Sequence, residues 1–150
     1  MQSTKTKILI VDDKASIRTS LSLLLTEIGY SVRTAEEGNS ALEAMRQEVP
    51  DILISDLFMP GMSGFDLLFL VRQRFSAVHT IAMSGAFHGN QVPSGVAAHA
   101  FFQKGGHIGP LLAILNSLNQ SERPSAQSSD RRRAAGKMRV DEQSDFKFQE

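Results

Sequence analysis

The sequence has 150 residues, a formal net charge of zero and no cysteine. This length suggests about one domain, and a hydrophobic fraction of 41% is ordinary for a globular protein. Zero net charge argues against nonspecific binding to nucleic acid or to an anionic membrane. The lack of cysteine excludes disulfides, thiolate nucleophiles and cysteine-ligated metal centres. Because the apolar runs are short and no signal-peptide pattern opens the chain, we expect a cytoplasmic protein without membrane contact.

In chain order, residues 5–120 alternate between short apolar runs and longer stretches with an apolar residue every three or four positions. This alternation predicts buried parallel strands joined by helices. The predicted strands are 7–11, 30–34, 52–55, 78–83 and 100–103. The predicted helices are 17–28, which stops at Gly29, and about 39–48, 65–75 and 108–118. Right-handed crossovers with helices on both faces make this a doubly wound α/β sandwich.

The stretch between the fourth and fifth predicted strands departs from this pattern. It contains Gly89, Pro93 and Gly95. Proline inside a helix costs about 3 kcal/mol and each glycine nearly 1 kcal/mol relative to alanine. We therefore predict that the fourth helix is shortened or irregular, with one turn at most starting near Pro93 and a mobile loop over 87–92.

The composition changes near residue 120. Residues 121–150 contain no Ile or Leu, open with Ser, Pro and Gln, and carry charges of both signs. Such a segment offers too little apolar surface for a core. We predict a folded domain over residues 1–120 and a disordered charged tail over 121–150, with no output domain.

Polar residues follow four of the predicted strands directly. Asp12 and Asp13 follow the first strand, Asp56 the third, Ser84 the fourth and Lys104 the fifth. Open parallel sheets bind ligands at the carboxyl ends of their strands, so these side chains are expected at one edge. Two unit charges about 5 Å apart repel by roughly 3 kcal/mol at an effective dielectric of 20. Three carboxylates at this edge therefore require a cation besides the lysine.

Mg²⁺ is the cation that suits a site with one or two direct carboxylates, several waters and a phosphoryl oxygen. A carboxylate, Mg²⁺, a lysine and a hydroxyl donor are together the parts that stabilise a phosphoryl group during transfer. In this interpretation Asp56 is the nucleophile. A simpler interpretation makes Asp12 the N-cap of the first helix. That role would not require Asp13, Asp56 and Lys104 at the same edge.

Four segments carry a recognisable pattern, namely residues 8–13, 51–64, 82–85 and 101–104. Together they resemble the receiver domains of two-component response regulators over about residues 5–120. The segment around Asp56, with Met59, Pro60 and Gly64, is the most specific of the four. The resemblance implies a flavodoxin-like (βα)5 fold whose five parallel strands have the order 2-1-3-4-5, as in stand-alone chemotaxis regulators.

The resemblance also implies roles for the residues at this edge. Asp56 would accept a phosphoryl group from a histidine kinase or a histidine phosphotransfer protein. Mg²⁺ would be held directly by Asp13, Asp56 and the backbone carbonyl of Phe58, while Asp12 would act through water.

Three further residues match functional positions of the family. Ser84 would donate a hydrogen bond to a phosphoryl oxygen, and Lys104 would pair with another. Phe101 matches the aromatic residue whose rotamer, together with Ser84, reports the phosphorylated state. An aromatic pair such as Phe101 and Phe102 is equally typical of a core strand.

Three departures from the family pattern stand out. Gly105 follows the lysine where the family commonly has a proline. The stretch before the fifth strand is irregular. Apolar Phe58 and Ala86 occupy positions that flank the path of attacking water, so we expect a long-lived aspartyl phosphate.

The leading hypothesis is a single-domain response regulator that is not an enzyme with a diffusible product. It would be a monomer when unphosphorylated, without nucleic acid or membrane partners, and would switch the binding of a downstream protein that the sequence does not identify. The alternative is a pseudo-receiver, an interaction module that is not phosphorylated. Phosphatases of a related fold would place an acid at residue 58, and a flavin module would not place Asp12 and Asp13 beside a phosphate.

Overall fold

The computed structural model describes residues 4–87 and 91–121. The first compact unit ends at Leu111 and contains every strand. The second begins at Leu112, and its described residues continue the last helix. In chain order the elements are β1 (Lys7–Val11), α1 (Ala15–Glu27), β2 (Ser31–Ala35), α2 (Gly38–Gln47), β3 (Ile52–Asp56), α3 (Gly64–Arg74), β4 (His79–Ser84), β5 (Ala100–Gln103) and α4 (Gly109–Ser121).

The five strands form one parallel sheet in the order β2-β1-β3-β4-β5. Ile10 at the centre of β1 pairs with Thr34 of β2 on one side and with Ile54 of β3 on the other. The predicted fold class and strand order are confirmed. Because all pairings are parallel, the carboxyl ends of the strands meet at one edge of the sheet.

Helices pack against both faces of the sheet. One face carries a core cluster that joins Leu9 and Leu53 of the strands to Met45 of α2 and Leu67 of α3. On the opposite face, strand and α1 residues line one cavity of about 140 Å³, which includes Ile17, Leu21, Met83 and Phe102. Successive strand residues alternate between faces. This explains why both Phe101 and Phe102 are buried.

The boundary between α1 and β2 shows how one glycine sets the register of the next strand. Gly29 has a φ of 112°, which favours glycine, and its N–H donates to the Thr26 carbonyl at 3.0 Å. The Tyr30 N–H donates to the Leu25 carbonyl at 3.0 Å, completing a Schellman motif. Because Tyr30 belongs to this helix end, β2 starts at Ser31, one residue later than predicted.

The stretch between β4 and β5 has no helix in its described residues, 85–87 and 91–99. A single turn starts at Pro93, whose carbonyl accepts from the Val96 N–H at 3.2 Å. This agrees with the prediction of at most one turn near Pro93. The chain therefore has four helices among its described residues rather than one after every strand.

Two predictions concern residues outside the described ranges. The proposed tail over 121–150 lies beyond the described residues except for Ser121, where α4 ends three positions later than predicted. The predicted mobile loop over 87–92 falls partly on residues 88–90, which are also outside. Within the described ranges, every helix is too short or too polar to cross a membrane.

Candidate functional site

The first strand places Asp12 at the carboxyl edge of the sheet. Its N–H donates to the Ala35 carbonyl at 3.2 Å, which extends the pairing with β2 by one residue. The Asp12 side chain is fully buried, and its Oδ1 accepts from the Lys14 N–H at 2.8 Å. Lys14 is the N-cap of α1. The capping interpretation of Asp12 is therefore wrong. Asp12 precedes the N-cap by two residues, and its side chain accepts from the N-cap's own N–H rather than from an N–H inside the helix.

Asp56 is the last residue of β3 and is 4% exposed. The turn into α3 passes directly over its backbone, and the Gly64 N–H donates to the Leu57 carbonyl at 2.9 Å. A Cβ added at Gly64 would lie 1.9 Å from the Asp56 carbonyl oxygen. Only glycine allows this approach, which gives a physical reason for the Gly64 of the sequence motif.

Asp12, Asp13 and Asp56 form an acidic cluster. Each offers a carboxylate oxygen, and these oxygens all lie within 4.8 Å of one another. Asp13 is exposed and the other two are buried. The Lys104 Nζ lies 2.9 Å from Asp12 Oδ2 and 3.4 Å from Asp56 Oδ1. The structure thus brings together the two acids after β1, the acid at the end of β3 and the lysine after β5, as the sequence predicts.

The charges of this cluster act on one another. Burial raises the pKa of Asp56, the charge of Asp12 raises it further, and the charge of Lys104 partly opposes both. Burial lowers the pKa of Lys104, but its hydrogen bond to Asp12 and the charge of Asp56 outweigh burial, so that the pKa is raised. The lysine therefore stays charged, while the ionised Asp56 lacks full compensation.

This donor set fits a hard divalent cation. Carboxylate oxygens are the ligands that Mg²⁺ prefers, and one added cation would offset the burial and the carboxylate repulsion that raise the pKa of Asp56. The exposed Asp13 gives the cluster an open side towards solvent. All three carboxylates offer oxygens to such an ion. The direct roles of Asp13 and Asp56 and the participation of the Phe58 carbonyl stay predictions.

Ser84 ends β4 next to the acidic cluster, because the preceding Met83 pairs with Asp56. Its side chain is buried, its Oγ accepts from the Ala86 N–H at 3.0 Å, and its carbonyl accepts from the Lys104 N–H at 3.1 Å. One residue thus anchors both the loop after β4 and the backbone that carries the lysine. Gly105 then turns the chain with a φ of 90°.

Phe101 of β5 is fully buried and belongs to the core cluster. This burial agrees with the interpretation of Phe101 as a core residue. Its role as a switch stays a prediction. Sequence reasoning did not assign a role to the ring that contacts it, Phe87, which lies three residues after Ser84. The available signal was the pair of phenylalanines at positions 58 and 87, one in each loop beside the site.

Known proteins resemble this chain in sequence. The probable transcriptional regulator ycf27 of Guillardia theta is 47% identical over 70 residues, covering 47% of this chain and 28% of that protein. The DNA-binding transcriptional regulator NtrC of Klebsiella pneumoniae is 45% identical over 75 residues, covering 50% of this chain and 16% of that protein. The matched segments span less than a third of these relatives.

Solved structures match over most of the chain. The chemotaxis response regulator CheY4 of Vibrio cholerae has a TM-score of 0.68 and 31% identity, covering 76% of this chain and 98% of that one. The response regulator TrrA of Thermotoga maritima, in complex with Mg²⁺-BeF, has a TM-score of 0.69 and 31% identity, covering 75% and 98%. TrrA was also solved with the histidine kinase ThkA. A family model described as the response regulator receiver domain matches residues 8–114, and the chain belongs to this family.

Proposed function

We propose that this receiver domain accepts a phosphoryl group on Asp56 from a phosphohistidine of a histidine kinase or a histidine phosphotransfer protein. The phosphorylated form would then change its binding to a downstream protein. One observation carries the proposal, which is the placement of the Asp56 carboxylate among two other carboxylates and the Lys104 ammonium. The family assignment and the kinase complex of TrrA support the choice of donor.

The chemistry requires little from the protein beyond position and charge. An Asp56 carboxylate oxygen attacks phosphorus, a P–O bond forms, and the P–N bond to the donor imidazole breaks and leaves its electron pair on nitrogen. Lys104 lies close enough to Asp56 to neutralise charge on the transferred group. The buried Ser84 hydroxyl, one residue beyond the partner of Asp56 on β4, is available as a donor to a phosphoryl oxygen.

Mg²⁺ belongs to the same proposal. Asp13 and Asp56 would hold it directly with the Phe58 carbonyl, and Asp12 would act through water. When bound, the ion supplies positive charge to the phosphoryl oxygens during transfer. The acidic cluster and the Mg²⁺-BeF complex of TrrA support this assignment.

The remaining parts of the proposal concern how the protein works. We propose a cytoplasmic phosphoacceptor that is not an enzyme with a diffusible product, is a monomer when unphosphorylated and has no nucleic acid or membrane partner. The irregular stretch between β4 and β5 supports the monomer, because its described residues offer no regular helix for a second copy to contact.

Intact mass spectrometry tests the phosphoacceptor. The protein is incubated with Mg²⁺ and a small acyl phosphate, and in parallel with phosphorylated histidine kinases. We expect one base-labile phosphoryl group on the wild type and on Asp66→Asn, an exposed acid in α3 that serves as a matched control. Asp56→Asn should remain unmodified. A wild type that stays unmodified with every donor would contradict the proposal and favour the pseudo-receiver.

A further inference from the structure

Three phenylalanine rings form a continuous chain beside the proposed phosphorylation site. Phe58 and Phe87 are stacked, with ring centroids 6.2 Å apart and an interplanar angle of 21°. Phe87 also contacts Phe101 edge to face, with centroids 6.2 Å apart and an angle of 86°. We call these residues the ring chain. It links the loop after β3, the loop after β4 and β5, and Phe87 is the ring that contacts both others.

The two ends of the ring chain differ in burial. Phe101 is fully buried, whereas Phe58 is 54% exposed although it also contacts Phe65 edge to face. The Phe58–Phe87 contact is therefore the part of the ring chain that is accessible to solvent. A stacked contact at the surface contributes modestly, so a small change in the position of Phe87 is enough to open it.

Ser84 connects this contact to Asp56. Its Oγ accepts from the Ala86 N–H at 3.0 Å, and Phe87 is the next residue. A phosphoryl group on Asp56 brings three strong acceptor oxygens and nearly two negative charges to the neighbouring strand. A Ser84 hydroxyl that turns towards these oxygens changes the position of Oγ, to which the Ala86 N–H is bound.

Resting on the proposed function, we propose that Phe87 is a positioning residue that couples phosphorylation of Asp56 to the ring chain. In the unphosphorylated protein its ring holds the loop after β3 and Phe101 in the resting arrangement. When Ser84 turns to the phosphoryl group, Phe87 moves with Ala86 and leaves the stack on Phe58. A contact that stabilises only the resting state must oppose phosphorylation, so removing the Phe87 ring favours the phosphorylated arrangement.

Tryptophan fluorescence reports the movement directly, because the chain has no tryptophan of its own. Beryllofluoride with Mg²⁺ serves as a stable phosphoryl analogue. The single tryptophan of Phe87→Trp should change its emission when the analogue is added, and Asp56→Asn in the same background should abolish the change. The matched control is Phe69→Trp, which replaces a phenylalanine of α3 that is 55% exposed and outside the ring chain, and its emission should stay constant.

Affinity for the analogue separates coupling from a merely structural role. We expect Phe87→Leu to bind beryllofluoride about threefold to tenfold more tightly than the wild type, because leucine keeps apolar volume but loses both ring contacts. Phe87→Tyr keeps the ring and should bind like the wild type, as should Phe69→Leu. A purely structural role would lower the melting temperature of Phe87→Leu and leave its affinity unchanged.

The outcomes distinguish this inference from the proposed function. A wild type that neither accepts a phosphoryl group nor is stabilised by beryllofluoride contradicts the proposed function and the coupling together. A wild type that responds, with Phe87 variants that behave like the Phe69 variants in emission and affinity, overturns the coupling alone. A wild type that responds, with an emission change confined to Phe87→Trp and tighter binding confined to Phe87→Leu, supports it.

Discussion

The two ends of β1 each carry a lysine–carboxylate ion pair of nearly the same length. At the carboxyl end, Lys104 Nζ lies 2.9 Å from Asp12 Oδ2. At the amino end, Lys7 Nζ lies 2.8 Å from Glu48 Oε2. The side chains of the first pair are 15% and 0% exposed, and those of the second are 38% and 48% exposed. The two ion pairs therefore have nearly the same N–O distance and differ in how far water reaches their side chains.

This difference decides what each pair does. Water solvates Lys7 or Glu48 when the other is absent, so the exposed pair adds little to stability. Asp12 is buried and has no such alternative, which makes it dependent on the lysine. Burial also raises the pKa of Asp56 beside it. The buried negative charge at the carboxyl end costs the fold free energy, and binding a cation there would recover part of that cost; the exposed pair at the amino end carries no such cost.

Removing each lysine in turn should give the largest difference between the two ends of β1. Lys104→Ala leaves Asp12 buried without its ammonium partner, and we expect a loss of about 3 kcal/mol in the free energy of unfolding. Lys7→Ala should cause a much smaller loss. Urea denaturation at pH 7 without Mg²⁺ measures both. Adding Asp12→Asn to Lys104→Ala should recover most of the loss, and equal losses for the two lysines would contradict the comparison.

Addition of Mg²⁺ should affect only the carboxyl end. A ligand present at about ten times its Kd stabilises the folded state by roughly 1.4 kcal/mol. We expect a rise in melting temperature for the wild type and for Glu48→Gln, and none for Asp13→Asn. Lys104→Ala should gain more than the wild type, because its carboxylates lack the competing ammonium. Thermal melts with and without millimolar Mg²⁺ provide the measurement, and identical wild-type melts would count against the site.

The pH dependence of Asp56→Asn should reveal the cost of the buried charge. A raised pKa means that ionisation of Asp56 is less favourable in the folded state than in the unfolded one. The resulting loss of stability grows as pH rises through the raised pKa and is absent well below the ordinary value of 3.8. Asparagine removes this cost, so we expect Asp56→Asn to be more stable than the wild type at pH 7 and the gain to fade towards pH 4.

Urea denaturation at both pH values checks this result, with the exposed Asp66→Asn as control. A gain that is as large at pH 4 as at pH 7 would show that the charge of Asp56 is not its source.

The sequence predicts the carboxyl end of the sheet better than it predicts the details of contact there. Apolar runs define β1 and β5 to the residue, and parallel pairing then forces Asp12, Asp56 and Lys104 to one edge. The closer approach of Lys104 to Asp12 than to Asp56 depends on side-chain rotamers, which periodicity does not encode.

Two other contacts also escape sequence reasoning. Phe87 meets Phe58 and Phe101 only because an irregular loop directs it there. The ring of His99, the residue before β5, accepts from the Thr80 N–H of β4 at 3.0 Å, and this contact depends on a strand register that the stretch before β5 does not reveal.

Added salt should produce the smallest effect, and we expect it to weaken the Lys7–Glu48 pair at the amino end of β1. The Debye length shrinks from about 10 Å at 0.1 M ionic strength to about 3 Å at 1 M, so charges in contact with water are screened first. Lys7 and Glu48 are both exposed, and Arg33 lies only 3.9 Å from the same glutamate. We expect Glu48→Gln to lower the melting temperature slightly at low salt and to match the wild type near 1 M sodium chloride. The Lys104→Ala loss should persist at both concentrations, because the protein excludes water and ions from Asp12. A loss that disappears in salt for Lys104→Ala as it does for Glu48→Gln would mean that both pairs are effectively at the surface, and the contrast between the two ends of β1 would fail.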